Sequence, residues 1–374
     1  MSAICIVCHN GVGALQGFGG HIGGVERQTA MLAKHLAARG HRVSYVVWGG
    51  NESIPSQIDG VDVLPICRVD AGVRGLRFFH PRWTSLFGAL KAANAEVYYH
   101  NGAEYITGQV AAYCKVAGRS FVFSAASDTD CDASLPALTS ARERVLYRYG
   151  LRTATKVLVQ TRSQQSQLRR DFGLDGLVMP MPCVIQPVAE ESVDAAHVFR
   201  VLWVGRIVRT KRLEMYLEVA ASNPDIEFHI AGGADDDENY ASSVIAKARQ
   251  EENVTYHGVV QQTKLSELYR SASVLACTSS LEGFPNTFLE AWGHGVPVLS
   301  TFDPDDTIRT NGLGVSVQDA ASLTAAIREM RQSHARFLEM KARCKEYFLR
   351  KHEAGTALRG FEDVLTGAAV VRSH

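Results

Sequence analysis

The chain has 374 residues and carries 39 Lys and Arg against 39 Asp and Glu, a net charge of zero. That length exceeds one ordinary core and predicts about two domains, while the balanced charge argues against a nucleic-acid partner, which asks for a basic surface. No run approaches the ~18 apolar residues of a membrane span.

Apolar strand-length runs alternate with helical patterns along the chain. In the first half, strands are predicted at Ala3–Cys8, Arg42–Trp48, Val97–His100, Ser120–Ser124 and Lys156–Gln160, with a helix over Val25–Ala38. Most are apolar on both faces, as strands covered on both sides of a parallel sheet must be. The first run lacks the basic flank of a signal peptide, so a cytoplasmic chain is expected. The eight cysteines are scattered and read as reduced thiols. Cys5 and Cys8 stand three apart in a strand, point to opposite faces, and are not expected to share a metal or a disulfide.

The loop after the first run, HNGVGALQGFGGHIGG, is dense in glycine and ends at Gly23 and Gly24 before a helix. Glycine lets backbone approach a ligand, and a helix start offers amide N–H groups to an anion. The spacing G-x-G-x-x-G is met only at Gly11 and Gly13, because Gln16 holds the third position and Gly17 comes one residue late. Further on, RVDAGVRGLRFFHPRW interleaves Arg68, Arg74, Arg77 and Arg82 with Phe78, Phe79 and Trp83. This segment suits an anionic membrane surface or a lipid-linked acceptor, and equally an amphipathic element packed on its own domain. Asp128, Thr129 and Asp130 spell D-x-D. Adding Asp132 suggests a calcium loop, but Ala133 and Thr139 stand where such a loop needs glycine and glutamate, so an EF-hand is not expected. With cationic Arg206 and Lys211 available to neutralise a diphosphate, no metal is expected.

The pattern breaks at MPMPCVIQPVAEESVDAAHVF, where three prolines and an acidic polar run occur, and residues 183–198 read as a connection between domains 1–182 and 199–374. Beyond them, strands are predicted at Arg200–Val204, Glu227–Ala231, Val254–His257, Val274–Thr278 and Pro297–Ser300, with helices over Leu213–Ala221 and Lys264–Ala272. Two doubly wound, mainly parallel sheets follow. Ligands bind beyond the carboxyl ends of strands in such sheets, and two such domains facing each other would form a cleft. In VGRIVRTKR, Arg206 and Lys211 occupy one such loop and suit a pyrophosphate, with Arg209 and Arg212 competing for the role. GGADDDENY reads as a solvated acidic loop. In SSLEGFPNTFLEAWGHGVPVLS, Asn286 is expected to cap a helix that starts near Thr287. Its unpartnered amides form a phosphate site, supported by the helix dipole at ~0.3–1 kcal/mol. Glu290, one turn on, would repel a phosphate and so suits a hydrogen-bond donor such as a ribose diol. Glu282 suits the hydroxyls of an attached sugar. Ala320–Leu365 reads as helical and charged, and the last helix is placed back against the first domain.

Glu282 to Glu290 resembles the E-x7-E signature of retaining GT-B glycosyltransferases, family 4. VGRIVRTKR resembles that family's G-R-x4-K segment, GGVERQTAMLAKHLAARGHRV its first helix, and GHGVPVLS the strand that follows the signature. The resemblance covers nearly the whole chain, in the expected motif order. It implies two Rossmann-like α/β domains and a hexosyltransferase-type enzyme that moves a sugar from a nucleotide-diphosphate sugar with retention. Arg206 and Lys211 would bind the donor diphosphate and Glu290 the ribose. Glu282 and the backbone of Gly283, Phe284, Pro285, Asn286 and Thr287 would hold the transferred sugar and phosphate. Gly23 and Gly24 would contact the donor, and Gly258 and Val259 would lie near the base. No cofactor or metal is implied. The acceptor would be a glycan, a lipid-linked sugar or a small molecule on the N-terminal domain. The arginine- and aromatic-rich segment, read by itself, adds the expectation of peripheral contact with an anionic membrane at its inner face. Many members carry a histidine after the fourth N-domain strand. Here that stretch reads FVFSAASDTDCDASLP, and Asp128 takes the vicinity, able to accept a hydrogen bond from a sugar hydroxyl but not to donate one. Two rivals share the architecture: a sugar-nucleotide epimerase and a non-catalytic sugar-nucleotide binding subunit. A dehydrogenase fits less well, because the first loop lacks the dinucleotide fingerprint.

Overall fold

Aromatic and β-branched residues fill the runs that become strands. Val97–Asn101 and Ser120–Ser124 are buried at every position, as central strands covered on both faces must be. The structure, a computed structural model, describes residues 1–17, 23–50, 54–185, 198–234 and 237–370. Residues 186–197 of the expected connection, residues 18–22 of the glycine-dense loop and Asp235-Asp236 of the acidic loop lie outside the described residues. The chain divides into two units, Met1–Met181 with Ala357–His374, and Pro182–Thr356.

The first unit holds β1 (Ala3–Val7), β2 (Arg42–Gly49), β3 (Gln57–Ile58), β4 (Val61–Arg68), β5 (Val97–Asn101), β6 (Ser120–Ser124), β7 (Lys156–Val159) and β8 (Leu177–Val178). They form an eight-stranded sheet in the order β3-β4-β2-β1-β5-β6-β7-β8. Among the described residues every pairing in it is parallel except β3 with β4. Its helices are α1 (Val12–Gln16), α2 (Gly24–Ala38), α3 (Thr84–Ala93), α4 (Tyr105–Ala117), α5 (Ala141–Thr153) and α6 (Arg162–Phe172). β4 was not foreseen, because Pro65 interrupts its run. The strand tolerates the proline because only the two-residue β3 lies outside it.

In the second unit, β9 (Arg200–Val204), β10 (Glu227–Ala231), β11 (Val254–Gly258), β12 (Val274–Cys277), β13 (Val298–Ser300) and β14 (Gly314–Ser316) form a parallel six-stranded sheet. The order is β11-β10-β9-β12-β13-β14. Its helices are α7 (Leu213–Ala221), α8 (Glu238–Ala248), α9 (Gln262–Ser271), α10 (Asn286–Gly293), α11 (Thr307–Asn311), α12 (Ala320–Gln332) and α13 (His334–Lys351). The C-terminal helix, Ala354–Val370, then enters the first unit. There Ser120 Oγ donates to the Ala368 carbonyl at 2.7 Å, and Glu362 accepts from His35, Arg39 and His41. No helix among the described residues is long and apolar enough to cross a membrane.

Both sheets reverse winding beside their first strand. β1 lies between β2 and β5, and β9 lies between β10 and β12. The crevices at the carboxyl ends of β1 with β5, and of β9 with β12, are the switch points where such sheets bind ligands.

Candidate active site

At the second switch point the loops after β9 and β12 are joined by hydrogen bonds. Ser280 N donates to the Thr210 carbonyl at 2.8 Å, Thr278 Oγ1 to the Lys211 carbonyl at 2.6 Å, and Arg212 Nε to the Thr278 carbonyl at 2.7 Å. Trp203 Nε1, on β9, reaches Thr278 Oγ1 at 3.2 Å. The joined loops bring Lys211 Nζ into an ion pair with Glu282 Oε1, both side chains largely buried. Two groups expected to serve different parts of a ligand therefore hold each other.

The basic residues of the first loop differ in their surroundings. Arg212 binds backbone carbonyls of Thr278 and Ser279 and acts as a staple. Arg209 lies over the Tyr240 ring at 4.7 Å and pairs with Asp237 at 3.0 Å. Arg206 is exposed at the strand end, and Lys211 faces the second loop.

Asn286 is not the cap of α10. Pro285 takes that position with φ −66° and ψ 123°, and Asn286 is the first helical residue. The ring fixes φ at the helix entry without a capping side chain. Gly283, Phe284, Asn286 and Thr287 are half-buried around this helix start. Glu290 is buried one turn further, 8 % exposed. Behind α10, Trp292 packs on Phe288 at 5.6 Å and Tyr347 at 5.4 Å, and Phe284 packs on His352 at 5.4 Å. The helix that carries Glu290 thus rests on an aromatic bed. Gly258 ends β11 with φ 67°, a left-handed conformation that favours glycine, and Val259 beyond it is 84 % exposed.

In the first unit Gly23 caps α2, and a Cβ there would collide with the Glu26 carboxylate. Glu26 therefore lies against the helix start expected to receive an anion. Gly24 begins the helix. The D-x-D residues have local partners. Asp130 accepts from Ala126 N at 2.7 Å and from Ser127 Oγ at 3.1 Å, and burial raises its pKa. Asp128 accepts from Gln164 Nε2 at 3.0 Å.

Three residues that sequence reasoning passed over stand at the first switch point. His9 follows β1, and His100 and Asn101 end β5. All three are more than nine-tenths buried, yet both His9 ring nitrogens, His100 Nε2 and Asn101 Oδ1 have no hydrogen-bond partner among the described residues. His100 Nδ1 lies 2.9 Å from the Val7 carbonyl. A carbonyl only accepts, so Nδ1 carries the proton and, in the neutral ring, Nε2 presents a lone pair. Burial keeps both rings neutral, lowering the His100 pKa and bringing that of His9 to about 3. The cluster is therefore rich in acceptors, suited to groups that donate, such as hydroxyls. The available signal was positional: CHN and YHN close the two strands that flank the reversal.

Residues 23–183 match the family model described as "Glycosyl transferase 4-like domain", and residues 198–333 match "Glycosyl transferases group 1". The amylovoran biosynthesis glycosyltransferase AmsD of Erwinia amylovora is 28 % identical over 213 residues, 54 % of this chain and 59 % of that protein. The match thus spans somewhat more than half of that relative's length. Sucrose-phosphate synthase from Thermosynechococcus elongatus has a similar fold, with TM-score 0.77 and 19 % identity over 98 % of this chain and 99 % of that one. Anabaena HepE, solved with UDP and glucose, gives 0.76 and 15 % over 98 % and 100 %. Two mainly parallel α/β sheets, a glutamate pair around one helix start and family matches to both halves converge on one assignment. The chain belongs to the group 1 glycosyltransferases, family 4, with the GT-B fold.

Proposed function

We propose that the protein transfers a sugar from a nucleotide-diphosphate sugar to a hydroxyl acceptor with retention at the anomeric carbon. The observation that carries this reading is the joining of the β9 and β12 loops, which sets Arg206, Lys211, Glu282 and the start of α10 around one switch point. Cations and helix amides there suit a departing diphosphate, whose growing charge they stabilise as an oxyanion hole does. Glu290 takes the ribose diol, and the turn at Gly258 and Val259 lies against the base. Lys211 exchanges Glu282 for the diphosphate, which releases Glu282 to the hydroxyls of the transferred sugar. The first unit holds the acceptor, with His9, His100 and Asn101 accepting from its hydroxyls and Asp128 assisting. HepE's binding of UDP and glucose supports a donor of this class.

The test is a thermal-shift screen of nucleotide-sugars, followed by hydrolysis and transfer assays on each hit, with the anomeric configuration read by NMR. A donor that stabilises the protein and is turned over with retention is expected. Release of a free epimerised sugar would favour the epimerase reading, and binding without turnover the non-catalytic one. Because side chains and helix amides neutralise the diphosphate, turnover is expected to persist in excess chelator. Loss of activity with EDTA, restored by manganese, would overturn that part.

A further inference from the structure

The chain is neutral overall, but the end of β4 and the segment after it set four arginines, Arg68, Arg74, Arg77 and Arg82, against one aspartate, Asp70, which pairs with Arg68 at 2.8 Å. Backbone bonds fold it into successive turns: Leu76 N and Arg77 N donate to the Val73 carbonyl, and Phe79 N and His80 N to the Leu76 carbonyl. Residues three apart then share a face. Val73, Leu76 and Phe79 form one stripe, 70 %, 65 % and 59 % exposed, with Val69 beside it at 55 %. Arg74 and Arg77 form the neighbouring stripe, also exposed. Large apolar side chains this exposed and this close together mark an interaction surface.

The opposite face anchors the segment. Phe78 is buried, 5.5 Å from the Trp83 ring and 5.6 Å from Tyr105, with the Arg142 guanidinium 3.9 Å over it. Arg82 and Trp83, which the sequence suggested for the outer face, are turned inward. Arg82 donates to the Val69 carbonyl and lies 5.6 Å over the Trp48 ring, which packs 4.4 Å from His9. The exposed stripes therefore connect, through Arg82 and Trp48, to the acceptor-rich cluster. β4 runs parallel to β2, and β2 to β1, so the segment leaves the sheet at the end where that cluster lies.

We propose that Val69, Val73, Leu76 and Phe79, flanked by Arg74 and Arg77, dock the first unit on an anionic lipid bilayer, and that the acceptor is presented there on a lipid anchor. An apolar stripe beside a cationic stripe matches the interface between acyl chains and anionic headgroups. Each arginine near such a surface strengthens partition about fivefold, an effect that fades with salt. The docking claim stands by itself, while the lipid-anchored acceptor rests on the transferase reading.

The experiment is sedimentation of the full chain with vesicles of phosphatidylcholine alone, and with about a third phosphatidylglycerol. Binding is expected only to the second, and to weaken with salt. R74E with R77E should reduce partition at least tenfold, and V73S with L76S and F79S should abolish it, with unchanged thermal midpoints because these side chains are exposed. Donor hydrolysis in vesicle-free buffer, measured on the same variants, should not change. Equal binding to both vesicle types would overturn the proposal. So would a dimer in solution that the serine variant dissolves, which would assign the stripe to a second copy. Absent hydrolysis with intact vesicle binding would instead count against the transferase reading.

Discussion

Lys211 and Glu282 hold each other, so neither can be altered without changing the other's setting. Removing Lys211 leaves a largely buried carboxylate without its counter-ion, and a carboxylate so placed costs more than the lost pair contributes. Lys211→Ala should raise donor KM, and Glu282→Gln should mainly reduce kcat. The double variant should be less impaired than the sum, with a coupling of about 0.5–3 kcal/mol. Steady-state kinetics on the three variants measures this, and additive effects would mean that the pair does not matter to turnover. At the other switch point, His100→Phe keeps a ring but removes the lone pair. Acceptor KM should rise roughly fivefold, about 1 kcal/mol for one hydrogen bond, with donor KM unchanged. A change in donor KM alone would remove His100 from the acceptor.

The strands were legible because buried parallel strands write themselves as unbroken apolar runs, and Ser120–Ser124, Arg200–Val204 and Glu227–Ala231 match their predicted limits. The short edge strands β3, β8 and β14 were not, since two or three residues carry no period. The glutamates around α10 were legible from spacing, but their partners were not. Lys211 and Glu282 are 71 residues apart, and no local pattern reports a pairing across two loops. The cap of α10 was misread because Asn286 has the chemistry of a cap while Pro285 has the backbone for it. A measurable consequence follows: Pro285→Ala frees the backbone that the ring fixes and should cost at least about 0.4–1 kcal/mol. Chemical denaturation decides, and an unchanged stability would mean that the ring does not set the entry to α10.

The first unit is assembled from both parts of the chain, with the C-terminal helix tied in through Glu362. Burial raises that carboxyl's pKa, but hydrogen bonds from His41, His35 and Arg39 outweigh it and hold the pKa below the ordinary value. A depressed carboxyl contributes stability above its unfolded pKa, ~4.3, and loses it as pH falls through the folded value. Unfolding curves between about pH 6 and 3 should therefore steepen with Glu362 present and flatten in Glu362→Gln. Parallel curves would mean that the contact contributes nothing. Ending the chain at Glu353 should lower the denaturation midpoint of the first unit and leave that of the second in place, read by hydrogen exchange on β6 and β12. Loss of both together would show that the units do not unfold separately.

That returning helix also sets an order of events during synthesis. Residues 182–356 can be complete on the ribosome while the first unit still lacks its closing segment. At about 5–20 residues per second, β1 through β8 wait on the order of tens of seconds for the helix that covers them. In that interval the first unit is the part of the nascent chain that a holding chaperone would grip, and the surface left bare is the one that Ala354–Val370 later covers.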